Sequence, residues 1–242
     1  MDTIRINSDK VKIIAHRGLS GLERENTCPA FVAAGNRSYF GIETDIHVTK
    51  DGKFVVIHDA TTKRISQDAY DINVEENDYS EVKKIILPDL DGTTERCDIR
   101  IPLLKEYIMI CKKYEKVCVL ELKNRFEIND IERMIDEIKE LDYIKNVIFI
   151  SAVFENCVCL RNLLPKNDVQ YVTSEEVTKE LIEKLIKNNL NLDISYRRLN
   201  KENIRLLHSN DIKVNCWTCN DKEIAEKLVS FGVDFITTNI LE

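Results

Sequence analysis

Short runs of β-branched and aliphatic residues alternate with stretches of helical period along almost the whole chain, and no other feature constrains the fold as much. The candidate strands lie at 12–15, 41–48, 54–58, 117–122, 146–151, 168–172, 190–194, 212–216 and 234–238. Between them, 129–141 spaces Ile131, Met134, Ile135 and Ile138 on one helical face, with charges between. The segment 175–185 opens with an acidic turn after Thr173 and Ser174, either of which suits an N-cap; 200–208 and 221–229 follow the same form. Such alternation predicts βαβ units and a parallel sheet. Eight such strands in 242 residues match a TIM (β/α)8 barrel, which typically takes about 250. The run 54–58 is the extra strand: Thr49-Lys50-Asp51-Gly52 before it reads as a hairpin turn, so 41–58 is expected to be a β-ribbon. The runner-up is an open doubly wound sheet, but its Gly-rich fingerprint is missing after the first strand, where His16-Arg17-Gly18 stands instead.

Residues 1–242 read as a single domain, because no low-complexity segment or composition break divides them. The stretch of about 60–101 interrupts the rhythm; it is polar, with one short helix expected around 79–86. An insertion after a strand end is expected to cap the face where barrel active sites lie. Seven Gly and four Pro are too few for a Gly-rich all-β fold or long linkers. The net charge of −7 removes the general basic footprint of a nucleic-acid binder. The first apolar run, 11–15, is too short for a secretory core, and no apolar stretch reaches transmembrane length. The eight Cys show no disulfide framework, and Cys118 sits inside an apolar run. Cys216-Trp217-Thr218-Cys219 lacks the second pair or nearby His of a zinc site. The expected compartment is reducing and cytoplasmic.

Functional residues of a β/α barrel sit at the C-terminal ends of its strands. Strand one ends in His16-Arg17, and strand two carries Glu43, Asp45 and His47. The ribbon's return strand ends in His58-Asp59, and the next barrel strand ends in Glu121 and Lys123. Strand alternation points Glu43 and Asp45 to one side, and likewise Glu121 and Lys123. Three carboxylates converging on one mouth form an oxygen cage for Mg²⁺ or Ca²⁺. One such pair alone reads more readily as solvent-facing or as a strand ion pair; charges at consecutive strand ends favour a site. His16 and His58 beside the carboxylates read as a general acid/base pair, and Arg17 with Lys123 suits a phosphate. His47 shares the parity of the acids and stands equally for a site residue or one above the barrel on the ribbon. His208, late on an amphipathic segment, reads as a packing or solvated residue. The natural chemistry of the set is metal-assisted phosphoryl transfer.

Several motifs, in order over the whole chain, resemble the glycerophosphodiester phosphodiesterases. They are His16-Arg17-Gly18, Glu25-Asn26-Thr27 with Ala30-Phe31, the run from Gly41 through Glu43 and Asp45 to Gly52, and Val55-Val56-Ile57-His58-Asp59. Leu120-Glu121-Leu122-Lys123, Val214-Asn215-Cys216-Trp217-Thr218 and the run from Gly232 to Thr238 complete the set. The resemblance implies a β/α barrel with an insertion after its second strand. It implies hydrolysis of glycerophosphodiesters, small molecules of lipid and glycerol metabolism, to glycerol 3-phosphate and an alcohol. The cofactor it implies is a divalent metal, Mg²⁺ or Ca²⁺, with Mn²⁺ a further candidate. Glu43, Asp45 and Glu121 would hold the metal. His16 and His58 would be the acid and base, in either order. Arg17 and Lys123 would bind phosphate, and Trp217 would pack on the glycerol end. In a family-like mechanism the glycerol hydroxyl attacks phosphorus first, giving a cyclic phosphate that water opens.

Asn26 or Thr27 suits a helix N-cap, Glu25 faces either that helix or the site, and Asp59 suits orientation of His58. Pro102 suits a first helical position. The chain ends at Ile240-Leu241-Glu242 where the resembled family continues into a helix, so the last gap would be closed by residues 1–10 or by a partner subunit in a homodimer. Two alternatives follow: a related phosphodiesterase acting on lysophospholipid headgroups, with Ile65, Tyr70, Val74, Tyr79 and 85–87 of the insertion as apolar contacts, and a non-catalytic barrel that binds glycerophosphodiesters.

Overall fold

The computed structural model describes residues 2–242. Its strands are β1 (Lys12–Ala15), β2 (Gly41–Val48), β3 (Phe54–Val56), β4 (Val117–Leu122), β5 (Val147–Ser151), β6 (Asp168–Thr173), β7 (Asn191–Ser195), β8 (Val214–Trp217) and β9 (Phe235–Thr238). All but β3 pair in parallel in the order β1-β2-β4-β5-β6-β7-β8-β9. β9 then returns to β1, with Lys12 opposite Phe235 and Ala15 opposite Thr238. This closure makes the sheet a (β/α)8 barrel and excludes the open doubly wound alternative. β3 lies antiparallel on β2, with Val56 opposite Ile46, so the ribbon forms as expected. Gly52 takes a φ of 76° in its turn, a conformation that favours glycine.

Closure needs no second subunit. The amide of Ile4 donates to Ile240 O at 3.0 Å, and the amide of Ile6 to Glu242 O at 2.8 Å. The N-terminal segment therefore pairs with the C-terminal tail beside the β1–β9 seam. Of the two closures expected from sequence, the N-terminal one forms, through Ile4 and Ile6.

The helices are α1 (Cys28–Gly35), α2 (Tyr79–Val82), α3 (Leu104–Lys113), α4 (Ile128–Glu140), α5 (Phe154–Leu163), α6 (Lys179–Asn188), α7 (Lys201–His208) and α8 (Lys222–Phe231). Thr27 caps α1 by accepting from the Ala30 amide, as Asn200 and Asp221 cap α7 and α8. Three expectations are corrected. α6 starts at Lys179, not near 175, because Thr178 accepts the Leu181 amide and is the cap. That leaves Ser174 to Val177 as a loop after β6, at the barrel mouth. The insertion helix ends at Val82, since the next residues leave the helix to bury Ile85 and Leu87. Pro102 lies before α3, whose N-cap is Leu103; the Pro102 carbonyl instead accepts the Val56 amide at 2.9 Å.

Barrel strands are covered on both sides, so their apolar residues need not alternate with polar ones. Ile42, Ile46, Leu120, Leu122, Phe149, Leu192 and Ile194 face the helices in the main core. Ile14, Val119, Ile148, Ile150, Val172 and Phe235 form a separate cluster, with Trp217 packed against it. The insertion builds its own small core: Ile65, Val74, Val82, Ile85, Leu87, Ile99 and Ile101 pack on Val55 and Ile57 of the ribbon.

Tyr107 of α3 anchors β2 beneath the site. Its ring meets Phe31 edge-on at 5.0 Å, and its hydroxyl donates to Ile42 O at 2.6 Å in a fully buried setting. Tyr107→Phe keeps the ring and removes only that bond. It should cost about 1 kcal/mol, read as a lower denaturant midpoint at unchanged m-value. An unchanged midpoint would show that the bond contributes nothing.

Candidate active site

Register brings the acids together. Asp45 of β2 stands opposite Glu121 of β4, and Glu43 sits two residues earlier on β2 with the same orientation. One carboxylate oxygen from each of Glu43, Asp45 and Glu121 lies within 4.8 Å of the others. Their residues are only 2%, 1% and 8% exposed, a burial that three like charges tolerate only when compensated.

The turn after β1 supplies part of the compensation. Arg17 has a φ of 55°, and in that left-handed conformation its amide donates to Glu43 Oε2 at 2.7 Å. Gly18 follows with a φ of 75°, and a Cβ there would lie 2.7 Å from Ala30 backbone carbon, so no larger residue fits. The Arg17 guanidinium reaches Glu25 at 2.8 Å and Asp45 at 3.4 Å. Lys123 Nζ lies 2.9 Å from Glu121 and 3.5 Å from Asp45. Asn26 donates to Asp45 Oδ2 at 2.8 Å and accepts from the Thr44 hydroxyl at 2.7 Å. It holds Asp45 rather than capping α1.

These charges divide the acids. Burial pushes Asp45 up, but Lys123 and then Arg17 outweigh it and hold the carboxyl below its usual range. Burial raises Glu43 well above the usual range, and the Asp45 and Glu121 charges add to the rise. Burial and then Asp45 push Glu121 up to about 7. The three oxygens form a hard donor set that could hold a metal ion.

Both candidate histidines line one cavity with Glu43 and Glu121. His16 Nδ1 is 2.7 Å from Asn239 Oδ1, which leaves Nε2 facing Glu43 Oε2 at 4.0 Å. Burial, then the Arg17 charge, lower its pKa to about 4. His58 Nδ1 is 2.5 Å from Asp59 Oδ1, and Arg64 of the insertion reaches both Asp59 and Glu25. Burial also lowers His58, with Lys123 and Arg17 contributing. Because an amide oxygen and a carboxylate can only accept, each Nδ1 is assigned the proton and each Nε2 the lone pair.

The cavity, of about 280 Å³, opens over the acids and is lined by His16, Arg17, Glu43, His58, Glu121, Lys123 and Trp217 among others. The sequence-derived candidates thus come together, with Asp45 held just behind the lining by Arg17, Lys123 and Asn26. Two weaker candidates do not line it. Glu25 is bound by Arg17 and Arg64. His47 is buried on the ribbon, between Glu75 at 2.6 Å and the His58 carbonyl at 3.1 Å. Asp193 lines the cavity, and so do Thr173 and Ser174; sequence reasoning missed all three as site residues. The signal for Asp193 was present: it is the lone acid between Leu192 and Ile194, whose side chains turn to the helices. Cys216 and Cys219 are free and buried, and burial raises both thiols. That leaves them as core residues.

The comparisons with known proteins agree with this geometry. A chain from Caldanaerobacter subterraneus subsp. tengcongensis named glycerophosphodiester phosphodiesterase is 28% identical, over 95% of this chain and 94% of its own. One of the same name from Bacillus altitudinis is 27% identical over 94% of each. The crystal structure of a glycerophosphodiester phosphodiesterase from Thermotoga maritima superimposes with a TM-score of 0.76 at 27% identity, covering 95% of this chain and 94% of that one. The model of the glycerophosphoryl diester phosphodiesterase family matches residues 16–242, from the first candidate histidine to the end of the chain. The chain therefore belongs to the glycerophosphoryl diester phosphodiesterase family.

Proposed function

We propose that this protein hydrolyses glycerophosphodiesters to glycerol 3-phosphate and an alcohol with a divalent metal ion. The observation that carries this reading is the packing of Glu43, Asp45 and Glu121 within 4.8 Å of one another, Asp45 just behind and the other two in the wall of a cavity also lined by both histidines and both cations. Glu43, Asp45 and Glu121 would hold the ion, with Mg²⁺, Ca²⁺ and Mn²⁺ all compatible with oxygen donors. When bound, the ion supplies Lewis-acid stabilisation of charge on the phosphoryl oxygens.

The remaining steps belong to the chain. Arg17 and Lys123 bind the phosphate oxygens and hold phosphorus over the acids. Trp217 packs against the glycerol end. The neutral Nε2 of one histidine takes the proton of the adjacent glycerol hydroxyl as that oxygen attacks phosphorus. The other histidine, protonated beforehand, gives its proton to the departing alcohol. The product of this step is a cyclic phosphate. The histidine that gave its proton then takes one from water, whose oxygen adds to phosphorus, and the first returns its proton to the opening ring oxygen. An attacking hydroxyl already in the substrate makes the first step effectively unimolecular. Asp59 stabilises charge on His58 when it is protonated, and Asn239 keeps His16 Nε2 turned to the site.

The lysophospholipid alternative loses its support from the insertion. Ile65, Val74, Ile85 and Leu87 are buried in the insertion's own core, and of the named apolar residues only Tyr70 is exposed, at 41%. No helix among the described residues is long and apolar enough to cross a membrane. The test is a substrate panel: glycerophosphocholine, glycerophosphoethanolamine, glycerophosphoglycerol and lysophosphatidylcholine vesicles, each with Mg²⁺, Ca²⁺ or Mn²⁺. Release of glycerol 3-phosphate from the first three is expected. Headgroup release from the vesicles alone would replace this reading with the lysophospholipid one, and binding without turnover would support a non-catalytic barrel.

A pH dependence follows from the acids. The metal must displace the proton that Glu121 holds at a pKa of about 7. Metal affinity should fall as pH drops below about 7, by roughly tenfold per unit for each proton displaced. In the metal-free protein the sign of stability is opposite. A carboxyl whose folded pKa is raised stabilises the fold below its unfolded pKa, and that contribution is lost as pH rises through about 7. The melting temperature in chelator should therefore fall across neutral pH, and added metal should restore it most at the alkaline end. Equal metal-induced shifts at about pH 6 and about pH 8 would contradict the assignment.

A further inference from the structure

The cavity has a second polar region, on the strands across the barrel from the three acids. Asp193 of β7 lines the cavity at 2% exposure, yet its Oδ1 is buried without a hydrogen-bond partner. Trp217 of β8 lines the same cavity, and its indole Nε1 is likewise buried and unpartnered. Beneath them runs a buried chain in which Thr237 donates to Asn215 and Asn215 donates to Gln170, leaving Gln170 Nε2 without a partner. Asp193 stands opposite Asn215 in the β7–β8 register, with Trp217 two residues further toward the mouth. Buried polar atoms are normally paired, so orphans at a cavity wall mark where a ligand's polar atoms sit. Apart from the Trp217 ring, placed above against the glycerol end, none of these groups has a task in the chemistry proposed above, and the indole N–H has none.

We propose that Asp193 and Trp217 form a hydroxyl-recognition site, which binds the terminal hydroxyl of the substrate's glycerol. The assignment rests on the function proposed above. It follows from complementarity: a hydroxyl accepts from the indole N–H and donates to the carboxylate oxygen, or accepts from the carboxyl if that is protonated. It therefore satisfies both orphans in either state of Asp193. The cavity of about 280 Å³ lies at the small end of ligand pockets, which run from about 300 Å³ upward. The constant part of the substrate, glycerol phosphate, belongs in its depth, and the variable alcohol at its mouth. An acyl chain on that terminal oxygen would remove the donor and leave Asp193 unpaired, so the same pair selects deacylated glycerol.

The experiment compares binding of glycerol 3-phosphate with binding of 1,2-propanediol 1-phosphate, which lacks only the terminal hydroxyl. Calorimetry on metal-loaded wild type, Asp193→Ala, Asp193→Asn and Trp217→Phe gives the four ratios, with melting curves to show that each variant is folded. Wild type should prefer glycerol 3-phosphate by at least about tenfold, since a site built around a hydroxyl discriminates strongly against the analogue without it. Asp193→Ala should bring the ratio close to one by weakening the glycerol ligand alone. Asp193→Asn, whose amide still pairs with a hydroxyl, should keep most of the preference, and Trp217→Phe should lose part of it. A preference that survives Asp193→Ala, equal binding of both ligands by wild type, or no binding of either would overturn the proposal. If the preference and its loss are seen while no glycerophosphodiester is turned over, the hydroxyl site stands and the catalytic reading fails.

Discussion

Glu43→Ala is expected to abolish turnover while leaving the barrel folded. Glu43 belongs to the acidic group, with its backbone carbonyl accepting from Gly18 and its carboxylate from Arg17. On the proposed function, removing it takes away one of the three metal ligands, and with it much of the several kcal/mol of charge stabilisation that a bound cation contributes. The loss in kcat/KM should be at least about 10³-fold. The fold should tolerate the change, because burial and the neighbouring acids already make an ionised Glu43 unfavourable. In chelator the variant should melt no lower than wild type, and its metal-induced rise in melting temperature should disappear. Turnover near the wild-type rate would remove Glu43 from the metal site. A variant that melts far below wild type in chelator would show instead a structural part for the carboxylate.

The second large effect belongs to the histidines. His16→Ala and His58→Ala should each slow turnover by about 10²–10⁴-fold with metal binding retained, the usual contribution of a general acid or base. The set of donor atoms that lie within 4.8 Å of one another holds Glu43, Asp45 and Glu121 and neither imidazole, and the His58 ring is held by Asp59. Metal affinity measured by calorimetry should therefore change little in either variant. The two residues should also differ in how they fail. His58 is tied through Asp59 to Arg64 of the insertion, so Arg64→Ala should weaken kcat more than KM by loosening His58. The His16 ring is held by Asn239, and its backbone by the Ser20 hydroxyl and the Thr238 carbonyl. A His variant with near-normal kcat would take that residue out of the proton transfers.

Much of this site could be read from the chain because its parts sit on strands. Strand parity alone puts Glu43 with Asp45 and Glu121 with Lys123, and the parallel β2–β4 register, in which Gly41 meets Val117, brings Asp45 beside Glu121. The turn at His16-Arg17-Gly18 was legible as a departure from a nucleotide-binding turn, although the left-handed Arg17 that aims an amide at Glu43 has no signal in residue type. Tertiary pairing decided the rest. His47 shares the acids' parity, yet Glu75 of the insertion holds its ring away from the cavity. Asn26 looked like a cap, but Thr27 performs that role and frees Asn26 to hold Asp45. α5 went unread because its buried face includes Asn156, which bonds to the Asn124 carbonyl and Ser151, and because no side chain caps its start. Asp193 was passed over as one polar residue in a short strand; only barrel closure shows that it faces the same cavity as Glu121.

The most direct measurement follows one diester by phosphorus NMR in a single sample. Protein stripped with chelator and dialysed is mixed with glycerophosphoethanolamine, and the divalent ion is added after a baseline period. The account predicts no phosphomonoester signal during the baseline, and growth of glycerol 3-phosphate once Mg²⁺, Ca²⁺ or Mn²⁺ is present. Formation of the monoester by the stripped protein at an undiminished rate would contradict the metal role of Glu43, Asp45 and Glu121. No monoester with any of the three ions would contradict the reaction itself.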